Sequence, residues 1–457
     1  MILRNGKVVV DNSLQEVDIR IKGSKIADVK SELNPKREEK VIDLAGKLVF
    51  PGIIDSHTHF LLKSRGTVTS DDFYSGTKAA AYGGVTTIID YAEQTEESII
   101  EGLQERKREA QGEAVVDYSF HLVINKYFNP DKHLDELYQL GELGVSSLKI
   151  FTTYKDIYML DEDKLDILFR AAYENGLLVT VHAEDNEIIK SQKERYKESG
   201  KIGISYHPDI RPGLVEKKAI QRLNKLSKKR GTELYIVHLS SKEGYEAIKE
   251  AKQSNPNLYV ETAPHYLTLT RKELEKPEGR LSFMTPPLRE EEDNQKLWQG
   301  IIDNIIDVVA TDHCAFSKEQ KELGHHSLDI LPGIPGVETM LPLIYTYGVD
   351  NDRISLSRLV DLLSVKPAKI FGLYPQKGSF KEGTDADIVV YDPTIEWDLK
   401  GEVLHSKAGY TPYQDLSVKG KAVMTMVRGE IIVKDDEFKG KKGYGSFLEA
   451  KLDKIRR

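Results

Sequence analysis

The run at 51–60, PGIIDSHTHF, sets His57 and His59 two residues apart behind the apolar, β-branched pair Ile53 and Ile54. Such a run reads as a buried strand. Side chains alternate faces along a strand, so both imidazoles point the same way. Two imidazoles at the end of a buried strand can grip a divalent cation, although an isolated H-x-H is as readily a pair of hydrogen-bonded core histidines. Four more residues decide between these readings. Lys149 lies in SSLKIF, His182 ends VTVHAE, His238 ends LYIVHLS, and Asp312 ends VVATDHC. Each falls within or at the end of an apolar run. Six potential ligands so placed point to a metal centre rather than to packing.

Lys149 needs its own account. Lysine is rarely buried, and an ammonium beside divalent cations is repelled. Leu148, Ile150 and Phe151 surround it, which argues against a stem with its head in solvent. A neutral lysine amine can add carbon dioxide, and the resulting carbamate (N6-carboxylysine) has two oxygens that can bridge two cations. The set then divides into His57, His59 and Asp312 on one ion, His182 and His238 on the other, with carboxylated Lys149 between. Zinc suits this donor set best, with manganese or cobalt as substitutes. Two such ions can share and activate a hydroxide and polarise a carbonyl, which is machinery for hydrolysis. Asp312 is placed to take the hydroxide's proton and pass it to a leaving nitrogen.

These residues need a scaffold that brings strand ends together. Short apolar runs at 53–56, 85–91, 115–123, 145–151, 177–182, 234–238, 258–262 and 308–311 alternate with amphipathic stretches such as 162–174, 216–229, 244–253 and 293–304. This strand–helix alternation predicts a (β/α)8 barrel, an α/β fold whose active site lies at the carboxyl ends of its strands. Strand-like pieces at 2–10, 17–22, 41–50, 387–391 and 424–433 predict a β-sandwich built from both termini. The expected division is 1–50 and 376–457 for the sandwich and 51–375 for the barrel. Asn5-Gly6 predicts a hairpin turn within 2–10. Gly83-Gly84 reads as a helix stop. The polar stretch 190–201 reads as a solvated helix and loop, and the basic tail 451–457 as solvated too.

Other candidates carry less. His265 reads as structural or as support for the ligands. His313, next to Asp312, is expected to face away from it. His325 and His326 lie in a polar loop, and Cys314 lacks the surroundings of a reactive thiol.

The chain has 457 residues, 39% hydrophobic and 30% charged, a globular balance with room for a barrel and an accessory module. The net charge of −8 gives no reason to expect nucleic acid or an anionic membrane as partner. One cysteine allows no intrachain disulfide and suggests a reducing, cytoplasmic setting. The stretch MILRNGKVVV lacks the apolar core of a signal peptide, and no run is long and apolar enough to span a bilayer.

H-x-H on strand one, Lys on four, His on five and six and Asp on eight resemble the amidohydrolase superfamily. The stretches RGTVTSDDFYSGTKAAAYGGVTTIIDYAEQ, SSLKIFTTY, TDHCAFSKEQKELG and GIPGVE are similar to the hydantoinase and dihydropyrimidinase family of cyclic amidases, and the likeness covers nearly the whole chain. The resemblance implies ring opening of hydantoins, 5-substituted hydantoins or dihydropyrimidines to N-carbamoyl amino acids, usually in a homotetramer. It also implies a small cyclic amide or ureide as substrate. By the same resemblance Tyr154 contacts the substrate and helps stabilise the oxyanion. Thr285, in TPPLR, stands where a serine binds the ring through its backbone. Pro332 stands where an asparagine is common; it keeps a carbonyl but has no N–H. Leu61 replaces the arginine of dihydroorotase and the asparagine usual in allantoinase, as well as the aspartate of many hydantoinases. With Leu62 it forms an apolar lip suited to an uncharged ring, and Tyr158 is expected on the facing loop. Allantoinase is the principal alternative activity. Dihydroorotase and a non-catalytic scaffold homologue, which would lack these ligands, rank below it.

Overall fold

The computed structural model of the chain describes residues 1–10 and 13–451. Eight parallel strands form one sheet: Ile53–Asp55, Val85–Glu93, Asp117–Val123, Ser147–Phe151, Leu178–His182, Leu234–Ile236, Leu258–Thr262 and Val308–Val309. We number them one to eight. They are buried almost throughout, as expected of a parallel sheet covered on both faces. The ring closes just beyond strands one and eight. Thr58 bridges His313 in parallel, the His59 N–H donates to the His313 carbonyl at 2.8 Å, and the Thr311 N–H donates to Asp55 Oδ1 at 3.0 Å. Strand eight is shorter than its apolar run because Thr311 leaves the ladder to bind Asp55. The (β/α)8 barrel is thus present, and its closure holds the two ligand-bearing ends together.

The intervening helices follow their local signals. Asp161 caps Glu162–Asn175 by accepting from the Lys164 N–H, and Gly176, at φ 66°, ends that helix in the left-handed conformation. Asp185 and Ser241 cap Asn186–Glu198 and Lys242–Lys252 in the same way. Gly83 stops Phe73–Tyr82 as expected.

The second module joins both ends of the chain in one mixed sheet of nine strands. Strand Ile388–Asp398 pairs antiparallel with Leu48–Pro51 on one edge and Ser417–Val427 on the other. Ile19 and Ile26 from the amino-terminal strands share a core with Met424 and Met426 from the carboxyl-terminal ones, so the sheet folds back on itself as a sandwich. One local reading is corrected here. Ile2–Val10 is a single strand, not a hairpin, and it pairs with Ser13–Lys22. Asn5, at φ 57°, and Gly6 form a bulge where the register shifts between Leu3 and Gly6. Of the basic tail, residues 452–457 lie outside the described residues.

Candidate metal centre

Strand one delivers His57 and His59 to the carboxyl end of the barrel, with ring centroids 5.2 Å apart. Asp312 Oδ1 lies 3.2 Å from His57 Nε2 and 3.1 Å from His59 Nε2. One ligand atom from each of these three residues falls within 4.8 Å of the others, a spacing that could hold one cation. His238 approaches from strand six, 5.5 Å from His57 and 4.6 Å from His182 between ring centroids. Lys149, on strand four, is 1% exposed. Its Nζ lies 5.1 Å from the Tyr91 ring centre and 5.2 Å from that of Phe151. All six expected ligands therefore meet at one end of the barrel.

Their chemistry fits divalent cations. Burial pushes the His57, His182 and His238 imidazoles below their usual range, leaving them neutral with a free lone pair. Burial alone would raise Asp312, but its proximity to His57 and a hydrogen bond with His59 lower it well below the usual carboxylate range. Burial lowers the Lys149 amine to about 8, and among the described residues no carboxylate lies within 4.0 Å of it. A lysine so placed has a larger neutral fraction than an exposed one, and the neutral amine is the form that adds carbon dioxide.

Several residues that no motif announced orient this set. His57 Nδ1 donates to Glu261 Oε1 at 2.7 Å, leaving Nε2 to face Asp312. Glu261, from strand seven, also accepts from Tyr235 Oη at 2.9 Å and from the His238 N–H at 3.0 Å. His182 Nε2 donates to Glu184 at 2.6 Å, so Nδ1 is its free donor atom. Glu184 is in turn paired with Arg211. Carboxylates behind histidine ligands fix tautomer and ring direction. His121, on strand three, bridges Ser147 Oγ and the Ser56 carbonyl, and Tyr91 stacks on His59 at 4.6 Å. Glu261 sits in the continuous run LYVET, where its only sequence signal is a charge inside a buried strand.

The residues expected to meet the substrate, Leu61, Leu62, Tyr154, Tyr158, Thr285 and Pro332, are half-buried. Tyr154 lies 5.7 Å from the His182 ring, and the Arg211 guanidinium lies 5.4 Å from the Tyr154 ring. Leu62 packs with Cys314, Phe316 and Leu331. Tyr158 lies on the loop that follows strand four. It lies one turn beyond Tyr154, its N–H donating to the Tyr154 carbonyl at 2.9 Å and its hydroxyl to Glu93 at 2.9 Å. Leu61, Tyr154, His238 and Asp312 have φ of 49°, 61°, 39° and 50°. Each non-glycine residue held in that region carries some backbone strain.

His313 turns away from the ligands. Its Nε2 donates to Asp71 at 3.1 Å, and its Nδ1 accepts from the Gly336 and Val337 amides. His265 is buried against Tyr266, both ring nitrogens lacking a hydrogen-bond partner among the described residues. His325 is exposed and His326 half-buried. Burial raises the Cys314 thiol, consistent with an inert side chain.

Residues 48–432 match the model of the amidohydrolase family. The chain is 39% identical to the D-hydantoinase of Geobacillus stearothermophilus over 454 residues, covering 98% of this chain and 96% of that protein. It is 38% identical to a D-phenylhydantoinase of Escherichia coli O1:K1 / APEC, covering 99% and 98%. The crystal structure of dihydropyrimidinase from Brevibacillus agri NCHU1002 superposes with a TM-score of 0.96 at 36% identity, covering 99% of this chain and 98% of that one.

Proposed function

The chain belongs to the hydantoinase family of the amidohydrolase superfamily and is a cyclic amidohydrolase, and on that premise we propose that it opens hydantoin and dihydropyrimidine rings to N-carbamoyl amino acids at a centre of two divalent metal ions. His57, His59 and Asp312 would hold one ion and His182 and His238 the other, with carboxylated Lys149 shared between them. Zinc suits these donors best, with manganese or cobalt as substitutes. Such ions, when bound, supply Lewis acidity to a ring carbonyl and lower the pKa of a water.

The observation that carries this reading is Lys149: an amine buried at the meeting point of three neutral imidazoles and an ionised aspartate. The protein's own groups supply the remaining steps. Asp312 accepts one proton from the attacking water and delivers it to the ring nitrogen as the C–N bond breaks, and the second proton is lost to solvent when the new carboxylic acid ionises, leaving a carboxylate and an N–H. The Tyr154 hydroxyl, kept protonated by burial, donates toward the oxygen that gains charge. The backbone of Thr285 and the carbonyl of Pro332 orient the ring. Leu61, Leu62 and Tyr158 form the wall against its substituent, and their apolar surface suits uncharged or hydrophobic 5-substituents.

Purified protein would be assayed on hydantoin, 5-phenylhydantoin, dihydrouracil, allantoin and dihydroorotate, alongside metal analysis and intact mass. The expected outcome is turnover of the first three, two metal ions per chain, and the mass of one added carbon dioxide that Lys149→Ala abolishes. Turnover of allantoin alone would instead make the protein an allantoinase.

A further inference from the structure

Lys321 is a lysine that the proposed chemistry does not use, and it is fully buried at 0% exposure. It lies on the short helix Lys318–Glu322, which follows strand eight and begins at a Ser317–Gln320 capping box. Its Nζ donates to two main-chain carbonyls, Phe283 at 2.8 Å and Leu331 at 2.9 Å. Among the described residues no carboxylate lies within 4.0 Å of it. Burial lowers this amine to about 7, and a buried lysine head held by carbonyls alone is a costly way to fill space. Its partners explain why an N–H donor stands there. Phe283 is two residues before Thr285, and Leu331 is one before Pro332.

The two segments also touch directly, and Phe283 packs with Ile330. The Gly333 N–H donates to the Phe283 carbonyl at 3.0 Å. Gly333, at φ +135°, is pressed against Cys314, whose carbonyl would stand 2.3 Å from a Cβ there. The Leu331 carbonyl has Lys321 Nζ as its donor, and Phe283 shares its carbonyl between Lys321 and Gly333. The same helix also reaches the hairpin after strand one, because Gln320 Nε2 donates to Thr67 Oγ1 and to the Val68 carbonyl, each at 2.7 Å.

We propose that Lys321 is a positioning residue for substrate binding, its terminal amine clamping the 283–285 and 331–333 segments at the separation that lets both present their backbone to one ring. This inference rests on the cyclic-amidase reading above and on the roles assigned there to Thr285 and Pro332. Lysine is required because it offers more than one donor from a single point and reaches both carbonyls at once. Ring contacts made equally in the ground and transition states act on KM more than on kcat. The clamp's loss should therefore weaken substrate binding and leave the metal ligands alone.

The test compares full-length, metal-loaded wild type with Lys321→Met, which keeps the stem volume and removes the donors, and Lys321→Arg, which restores donors. Two readouts are taken: steady-state kinetics on hydantoin, and amide hydrogen exchange of peptides covering 281–287 and 329–335. The expected result for Lys321→Met is faster exchange in both peptides together, metal content equal to wild type, and KM raised at least about fivefold with kcat lowered less than about threefold. Lys321→Arg should recover part of the KM change. Unchanged exchange in either peptide, or a KM within twofold of wild type, would overturn the proposal. If Lys321→Met does not fold, Lys321→Gln, which keeps a single polar head, is judged by the same criteria. A wild type that opens no ring would refute the cyclic-amidase reading, whereas the exchange measurement would still decide whether the clamp exists.

Discussion

At the scale of single residues, the centre is a set of weak donors made strong by their surroundings. An imidazole becomes a good ligand when burial keeps it neutral and a carboxylate fixes its tautomer. Glu261 does this for His57 while also receiving the His238 amide, so one side chain steadies ligands assigned to both ions. Replacing Glu261 by Gln should lower metal affinity about 10- to 100-fold, measured by chelator competition, while the fold persists. Affinity unchanged from wild type would mean that the His57 ring is held by packing alone. The motif residues His57, His59, Lys149, His182, His238 and Asp312 were legible because each stands in or ends an apolar run. Glu261, Glu184, Arg211 and Tyr91 were not, because each is an ordinary residue until the barrel closes and sets it behind a ligand.

At the scale of elements, strand ends and the loops leaving them do different work. Parallel strands are rigid and deliver ligands; the loops carry strain and shape. Gly333 shows the difference. Its φ of +135° and its contact with Cys314 leave no space for a side chain. Gly333→Ala should displace Pro332 and raise KM on a hydantoin at least tenfold, with a smaller loss of thermal stability, since the loop and not the barrel must give way. Kinetics and a melting curve on one preparation would check this; a large melting shift with unchanged KM would count against it. Elements were also where the sequence misled. Asn5-Gly6 is a strong hairpin signal, but Leu3 and Val8 both face the terminal core and pair with 13–22, so burial of the whole strand outweighs the local turn preference.

At the scale of the whole molecule, the two modules are fastened by buried charge. Lys377 Nζ meets Asp117 of strand three at 2.6 Å, Asp387 at 2.7 Å and Asp385 at 3.1 Å. All four side chains are buried. Lys377→Met would leave Asp387 without a cation, while Asp385 keeps Lys25 and Asp117 keeps Arg428, and should destabilise the protein by about 3–5 kcal/mol in denaturant unfolding. A loss below about 1 kcal/mol would show that water reaches the cluster. A second fastening is sensitive to acid. Burial alone would raise the Asp71 carboxyl, but His313, Ser406 and the Lys407 amide hold it at about 2 against an ordinary 3.8. A carboxyl depressed on folding stabilises above its unfolded pKa, and that contribution fades as pH falls toward the folded value. Asp71→Asn should therefore be less stable than wild type near pH 6, and the gap should close between pH ~4 and ~2. A gap independent of pH would mean that the ionised form is not what holds the 406–407 segment.

The sequence by itself determined the eight-fold alternation, the candidate ligand types and the strand ends that carry them, because burial on both faces writes a strand as an apolar run and a charged or imidazole residue within one cannot hide. It also determined the family, through long motifs that survive without any knowledge of contacts. Only the tertiary structure decided which carboxylate stands behind which histidine, that Tyr158 shares a turn with Tyr154, and that Lys321 reaches two segments at once. Those relations join residues far apart in the chain, and no local pattern encodes a distance that exists only after the ring of strands has closed.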